Sequence, residues 1–379
     1  MPEKKKVKFS FWQEGKLDIP FLSLVLILLS IGLIMLFSAS YAFSDTNFGN
    51  SYRFITRQAG FAVFGVGAML FVSKINYHIY KKLAWPLYIC VIAVLAVLLV
   101  LPPMLEGTDV KRWLAIGSFS FQPSEFAKIS IAILFSSWLS ANPKKIKKLR
   151  YVFAMLVLLG IPCVLVVLEP HLSATLLIFA IGIILLIVGG IKKRWICAGL
   201  GVGVAGGVIA ILSGAVSYGS DRIKYWLDPW QDPIGKGYQT IQSLLAIGSG
   251  GLMGRGIGQS RQKYLWVPEP HNDFIFAIIC EELGIIGALV VIALFCALVW
   301  RGFTIAMKAA DSFGSFLSLA LTFHVGLQAL LNILVVTNTI PNTGISLPFF
   351  SYGGTALVIL LAEMGIVLSV SRGSSVEKQ

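Results

Sequence analysis

The sequence predicts an all-α polytopic membrane protein of about ten transmembrane helices, with both termini cytoplasmic and one large ordered extracytoplasmic loop. The chain is 56% hydrophobic and only 13% charged, far too apolar for a soluble domain. Apolar runs of about 18 residues or more recur along its whole length, each enough to cross a hydrocarbon core of ~30 Å as a helix. Lipid offers no partner to free backbone groups, so spanning segments are helices or closed barrels. A barrel needs alternating segments of about ten residues, and none are present.

Taken in order, the spans are 19–41, 54–73, 83–102, 122–140, 151–168, 173–190, 195–217, 273–300, 313–336 and 351–371. The first run is longer than a signal-peptide core and no small-residue cleavage site follows it, so it reads as a retained span. Orientation follows from Lys and Arg. The segments 1–18, 74–82, 144–150, 192–194, 301–312 and 372–379 hold 20 basic residues, against four (Arg53, Arg57, Lys111, Arg112) in the opposite short loops. The excess of +13 is thereby mostly a topology signal and requires no nucleic-acid partner. Nothing divides the chain, so 1–379 is predicted as one membrane domain: a basic amino terminus (1–18), the loop 218–272 between spans seven and eight, and a short tail (372–379).

All five cysteines (Cys90, Cys163, Cys197, Cys280, Cys296) lie in apolar spans and read as small buried hydrophobes, with no disulfide framework. The four histidines are scattered, without HExxH or paired Cys/His spacing, so no structural zinc site is predicted.

The loop 218–272 is too rich in large apolar side chains to be disordered and is predicted to form an ordered cap. Within it, YQTIQSLLAIG has helical spacing and reads as a short helix at the interface or dipping into the protein. The cluster GSGGLMGRGIG (248–258) lacks GxGxxG order and a GK[ST] ending, so a nucleotide loop is rejected. Tight turns and close helix contact are the plainer reading; backbone amides offered to phosphate, helped by Arg255 and Lys263, are the sharper one.

The stretch YLWVPEPHNDFIFAIICEEL (264–283) is the main anomaly, placing Glu269, His271, Asp273, Glu281 and Glu282 around an apolar run. Carboxylates within spans usually line a cavity or path. Pro268 and Pro270 put Asp273 near the first turn of the eighth span, where Asn272 or Asp273 as a mere helix cap is the structural alternative. Glu281 lies eight residues on, roughly 80° round and ~12 Å deeper, sharing a face with Asp273. Glu282 points almost the opposite way and reads as a paired structural charge. On the same predicted side, KRWLAIGSFSFQPSEFAK (111–128) presents Lys111, Arg112, Gln122, Glu125 and Lys128, and FITRQ (54–58) presents Arg57. Each cation alone would suit snorkelling; together they suggest a basic cavity for a lipid-linked anion.

These stretches, with GYQTIQSLLAIGSGGLMGRGIGQSRQKY and IPNTGISLPFFSYGG, resemble in order the motifs of the SEDS (shape, elongation, division and sporulation) proteins, over nearly all ten spans. GQSRQK and WRGFTIA are closer to the FtsW and SpoVE type than to RodA. The resemblance implies a peptidoglycan glycosyltransferase of the bacterial cytoplasmic membrane. It would polymerise lipid II on the outer face, release undecaprenyl diphosphate, and work with a class B penicillin-binding protein among other division or elongation proteins. It also implies that Asp273 is the catalytic aspartate, and that Arg57, Arg112, Gln122, Pro123, Glu125 and Lys128 belong to the cavity. Ser351 of the SYGG run joins Lys111, Arg255, Lys263, Glu269 and Glu281 as substrate-contact candidates. Four positions depart from the pattern: Asn272 and Thr355 replace a threonine and a serine, and His171 and Ser173 stand in EPHLSATL where a PDLGT-like aspartate and glycine are expected.

The chemistry asks for one general base, Asp273, to take the proton of an attacking GlcNAc 4-hydroxyl. Cations (Arg57, Lys111, Arg112, Lys128, Arg255, Lys263) would hold the departing diphosphate, and inversion at the anomeric carbon follows. No cofactor is required, although Glu269 and Asp273 could share a divalent cation, Mg or Mn, with the diphosphate. The alternatives are a lipid II flippase, which should carry charge down to the cytoplasmic side, and a non-catalytic scaffold for the transpeptidase.

Overall fold

A computed structural model describes residues 11–101, 112–116, 119–192, 194–195, 199, 217–264 and 266–376. Lys111, Cys197 and nearly all of the expected seventh span lie outside the described residues.

The first three helices are α1 (Ile19–Phe48), α2 (Arg53–Val72) and α3 (His78–Val100). A small antiparallel hairpin follows, β1 (Leu114–Ile116) and β2 (Phe119–Phe121), with Leu114 opposite Phe121. Then come α4 (Pro123–Ala141), α5 (Leu149–Leu168) and α6 (Leu172–Val188). After the undescribed stretch the chain forms α7 (Ser217–Leu227), α8 (Tyr238–Gly250), α9 (Ile275–Met307), α10 (Ser312–Val336) and α11 (Gly354–Val376). Seven of these, α1, α2, α3, α5, α9, α10 and α11, are long and apolar enough to cross a membrane. The predicted spans 122–140 and 173–190 form α4 and the shorter apolar α6, which pack on each other and on α10.

Local chemistry fixes the helix ends. Asp18 caps α1 by accepting from the Phe21 amide at 3.0 Å, and Gly49 closes it with φ +63°. Asp311 caps α10 through the Gly314 amide at 3.0 Å and also takes the Tyr77 hydroxyl at 2.9 Å and His78 at 3.3 Å. Those partners hold the Asp311 carboxyl below its usual range despite burial.

The predicted short helix of the long loop is α8, which dips into the bundle against α9 and α10 and donates the Ser243 hydroxyl to the Val336 carbonyl at 2.8 Å. The glycine cluster behind it serves close helix contact. The expected continuous eighth span is interrupted: Gly284 has φ +68° and ψ −171° inside α9. The loop backbone fills the break, with Arg255 N donating to Glu281 O (3.0 Å), Gly256 N to Glu282 O (2.9 Å) and Ile285 N to Gly251 O (3.0 Å). Irregular backbone at membrane depth is tolerated where protein satisfies it in this way. A Cβ on Gly284 would lie 2.3 Å from Gly254 N, and one on Gly254 would lie 2.2 Å from Glu282 O, so both positions demand glycine.

Candidate active site

Five helices, α2, α4, α6, α9 and α11, begin at one end of the bundle around a cavity of about 800 Å³. Their positive dipole ends converge there, which favours an anion. The lining brings together most of the predicted site: Arg57, Arg112, Gln122, Glu125, Lys128, Glu269 and Asp273.

Asp273 sits two residues before α9, and Phe274, not Asn272 or Asp273, occupies the cap position without any side-chain cap bond. The structural alternative for Asp273 therefore fails. Its backbone is clamped, since Asn332 Nδ2 donates to the Asp273 carbonyl at 2.7 Å and to Ile345 O at 2.6 Å. A Cβ added to Gly344 would meet Asp273 Oδ2 at 3.3 Å, so the 344 backbone runs close beside the carboxylate. Burial, and then the neighbouring Glu269 charge, push the Asp273 carboxyl up to about 6, opposed by Arg112 and Arg222.

The clamp continues through Ser351, which accepts from Leu347 N at 2.7 Å and donates to Asn272 O at 2.8 Å. Ser351 is thus buried support for the aspartate segment and not part of the cavity lining. Gln58 ties the same loop to α2 through Ser351 O and Gly353 N. His271 lies against Phe54 and Phe43, with ring centroids 4.3 and 4.9 Å apart, and burial lowers it to about 4, leaving a neutral ring.

On the opposite wall, Lys128 pairs with Glu125 at 2.8 Å, one helical turn away. Arg112 precedes the hairpin and donates through Nη2 to the Pro170 carbonyl. His171, standing where the family pattern has an aspartate, lines the cavity and meets Gln122 at 3.1 Å and Ser124 at 3.3 Å. Burial and Arg112 hold it at about 3, so a neutral ring replaces an anion there. Glu169 next to it is fully buried with neither oxygen hydrogen-bonded among the described residues, and desolvation raises it to about 8.

Three predicted residues lie elsewhere. Glu281 does not line the cavity, because its helix starts at Ile275 and its carboxylate turns toward the preceding loop. There it accepts from Ser260 Oγ at 2.5 Å and Arg261 N at 2.9 Å, with Arg255 Nε at 3.7 Å. Lys263 is buried against Glu282 at 3.0 Å and donates to Ser38 at 3.1 Å, while Ser38 donates to Glu282 at 2.6 Å. Arg255 and Lys263 are consequently structural partners of two buried carboxylates. The predicted structural charge of Glu282 is found, and Glu281 shares that role.

The cavity floor contains a chain that motif reading missed. Lys128 donates to Gln328 Oε1 (3.4 Å), His324 Nε2 lies 3.0 Å from the same oxygen, and His324 Nδ1 lies 2.8 Å from Glu363. His324, Gln328 and Asn332 recur every fourth residue in an apolar run, a one-face stripe that could have marked them.

A second, apolar cleft of about 710 Å³ adjoins the cavity. The two share Arg57, Phe61 and Thr355, and Phe64, Phe121, Phe126 and Val358 continue the cleft laterally.

A bundle with seven helices long and apolar enough to cross a membrane, holding a charged cavity beside an apolar cleft, defines an integral membrane protein. Residues 20–376 match the FtsW/RodA/SpoVE family of cell cycle proteins, and the chain belongs to that family. It is 40% identical to stage V sporulation protein E of Bacillus subtilis (strain 168), over 94% of this chain and 97% of the relative. It is 37% identical to the probable peptidoglycan glycosyltransferase FtsW of Geobacter sp. (strain M18), over 93% and 96%. Among solved structures, a chain described under "structural coordination of polymerization and crosslinking by a peptidoglycan synthase complex" superposes with TM-score 0.79 at 27% identity, covering 94% and 98%. The rod shape determining protein RodA of Thermus thermophilus superposes with TM-score 0.69 at 24% identity, covering 94% and 97%, and shares the fold.

Proposed function

We propose that this chain polymerises lipid II into glycan strands on the outer face of the bacterial cytoplasmic membrane. The observation that carries the reading is Asp273, a clamped carboxylate with a raised pKa in a cavity lined by Arg57, Arg112 and Lys128. The 4-hydroxyl of one lipid-linked disaccharide attacks the anomeric carbon of another. Its proton passes to Asp273 as the new bond forms, and the bond to undecaprenyl diphosphate breaks with inversion. Arg57, which has no ion pair among the described residues, and Arg112 hold the developing diphosphate charge. The Glu125–Lys128 pair presents a further ammonium from the opposite wall. The adjoining apolar cleft suits the polyprenyl tail.

Glu269 and Asp273 would hold a divalent cation, magnesium or manganese, together with the diphosphate oxygens, and its chemistry would be Lewis-acid stabilisation of the leaving group. Among the described residues there is no group of three or more metal-ligating side chains, so any such ion depends on the substrate. A class B penicillin-binding protein is the expected partner, since the peptidoglycan synthase complex couples polymerization to crosslinking. The flippase reading needs charge running through the bundle; the described chain from Lys128 ends in the core at Glu363, which is fully buried.

The pH dependence is the direct test. A base at about 6 makes kcat/KM rise with pH and level off above that value. Glu269→Gln removes the like charge, so the acidic limb moves to lower pH, whatever the change does to the plateau rate. The check is turnover of purified labelled lipid II, by this protein with its transpeptidase, between about pH 4 and pH 8 (about two units either side of the base). An unmoved limb removes Asp273 from the role of base.

A further inference from the structure

At the end of the bundle opposite Asp273, a cavity of about 350 Å³ opens where the start of α1 meets the ends of α9 and α11. Three cations, Lys16, Arg301 and Lys308, line it against one carboxylate, Asp18. Asp18 grips Arg301 along a single edge of the guanidinium, with Nε to Oδ1 at 2.9 Å and Nη2 to Oδ2 at 2.8 Å. A guanidinium has five N–H donors in a planar fork, and Nη1 makes no hydrogen bond among the described residues. The second edge, Nη1 with the remaining Nη2 hydrogen, is therefore held in a fixed orientation and unspent. Asp18 is itself fixed, because it caps α1 through the Phe21 amide. Lys308 closes α9 at its carboxyl end and is exposed beside the cavity. Leu17, Ile19 and Ile305 supply an apolar flank, and Ile19 is 68% exposed at the surface of the bundle.

An oriented arginine fork, a nearby ammonium and an apolar flank between membrane helices have the chemistry of a receptor for a lipid phosphate. We propose that this cavity binds the phosphodiester headgroup of an anionic membrane phospholipid, with the unspent edge of Arg301 and the Lys308 ammonium on the phosphate. Asp18 acts as the residue that orients Arg301. A bare phosphate would satisfy the cations and leave the apolar flank unused, which is why a lipid is favoured over the free ion.

The test uses the full chain in nanodiscs of phosphatidylcholine, with phosphatidylglycerol added in steps and retained lipid read by native mass spectrometry. Wild type is expected to retain phosphatidylglycerol over phosphatidylcholine, and Arg301→Gln and Lys308→Gln each to lower retention by about tenfold. Asp18→Asn is the decisive variant. It removes a negative charge and keeps a good capping side chain, so attraction by net charge alone predicts tighter binding. Orientation of the fork predicts severalfold weaker binding. Lys308→Gln breaks no ion pair among the described residues and preserves the readout should the Arg301 variant fail to fold. Tighter binding in Asp18→Asn, or unchanged retention in the Arg301 and Lys308 variants, overturns the proposal. Displacement of the lipid by inorganic phosphate at millimolar levels assigns a soluble phosphate site and also overturns it.

Discussion

Asp273→Asn is expected to remove polymerisation, lowering the turnover of lipid II by about 10²–10⁴-fold, the usual contribution of a positioned general base. The fold survives the change. The amide is nearly isosteric, and the wild-type carboxylate is an unfavourable anion, raised from 3.8 to about 6 by burial and by Glu269. The sign of the stability effect follows. A carboxyl whose folded pKa lies above its unfolded value binds more protons when folded, so it contributes stability at low pH that is lost as pH rises from about 4 through 6. The asparagine variant, which cannot ionise, is accordingly more heat-stable than wild type above pH 6 and no more stable at pH 4. Paired turnover and melting curves at the two pH values check both halves. Normal polymerisation by the variant would leave the base unassigned.

Glu282→Ala is expected to destabilise the protein by about 3–5 kcal/mol, the usual effect of stripping one partner from a buried ion pair. Lys263 would keep its ammonium in the core with Ser38 and the Gly258 carbonyl as its remaining partners. Ser38 and the Ser260 amide would lose their acceptor as well. The loop from Gly258 to Val267, which leads directly into the Asp273 segment, is pinned by Glu281 and Glu282 together, so activity falls with stability. Combining Glu282→Leu with Lys263→Met should recover much of the loss, because an apolar pair has no charge to desolvate. Thermal unfolding in detergent of the single and double variants measures this. A single variant as stable as wild type would mean that the pair contributes nothing.

The architecture was legible wherever hydropathy alone sufficed: α1, α2, α3, α5, α9, α10 and α11 all fall on predicted apolar runs. The lining of the candidate cavity was legible where unlike chemistry stood out against lipid, as with Arg57, Glu125, Lys128 and Asp273. Glu281 was misplaced for a physical reason. Ideal helical geometry counted from Asp273 puts Glu281 on its face, whereas α9 starts at Ile275 and the preceding loop comes to meet the Glu281 carboxylate. The break at Gly284 is invisible locally, since its partners Gly251 and Gly254 lie some thirty positions earlier and glycine is common in membrane helices. His324, Gln328 and Glu363 form their chain only when α10 and α11 pack, so only the four-residue stripe on α10 was there to be read.

The filled break in α9 also has a consequence for how the chain is made. Its docking bonds join positions 26 to 34 apart, the longest from Gly251 to Ile285, whereas the Ser38 bond to Glu282 closes 244 positions. By chain-closure entropy alone the longer closure costs about 1.7 kcal/mol more. A helix with bare carbonyls and amides at its middle is a poor lodger in lipid, so residues 250–256 are expected to dock before α9 leaves the insertion machinery. The two would then enter the bilayer as one hairpin, with Lys263 and Glu282 already paired and α1 joining afterwards. Nascent chains arrested just after α9 should therefore already protect residues 255–263 from protease, and chains arrested before Gly284 should not.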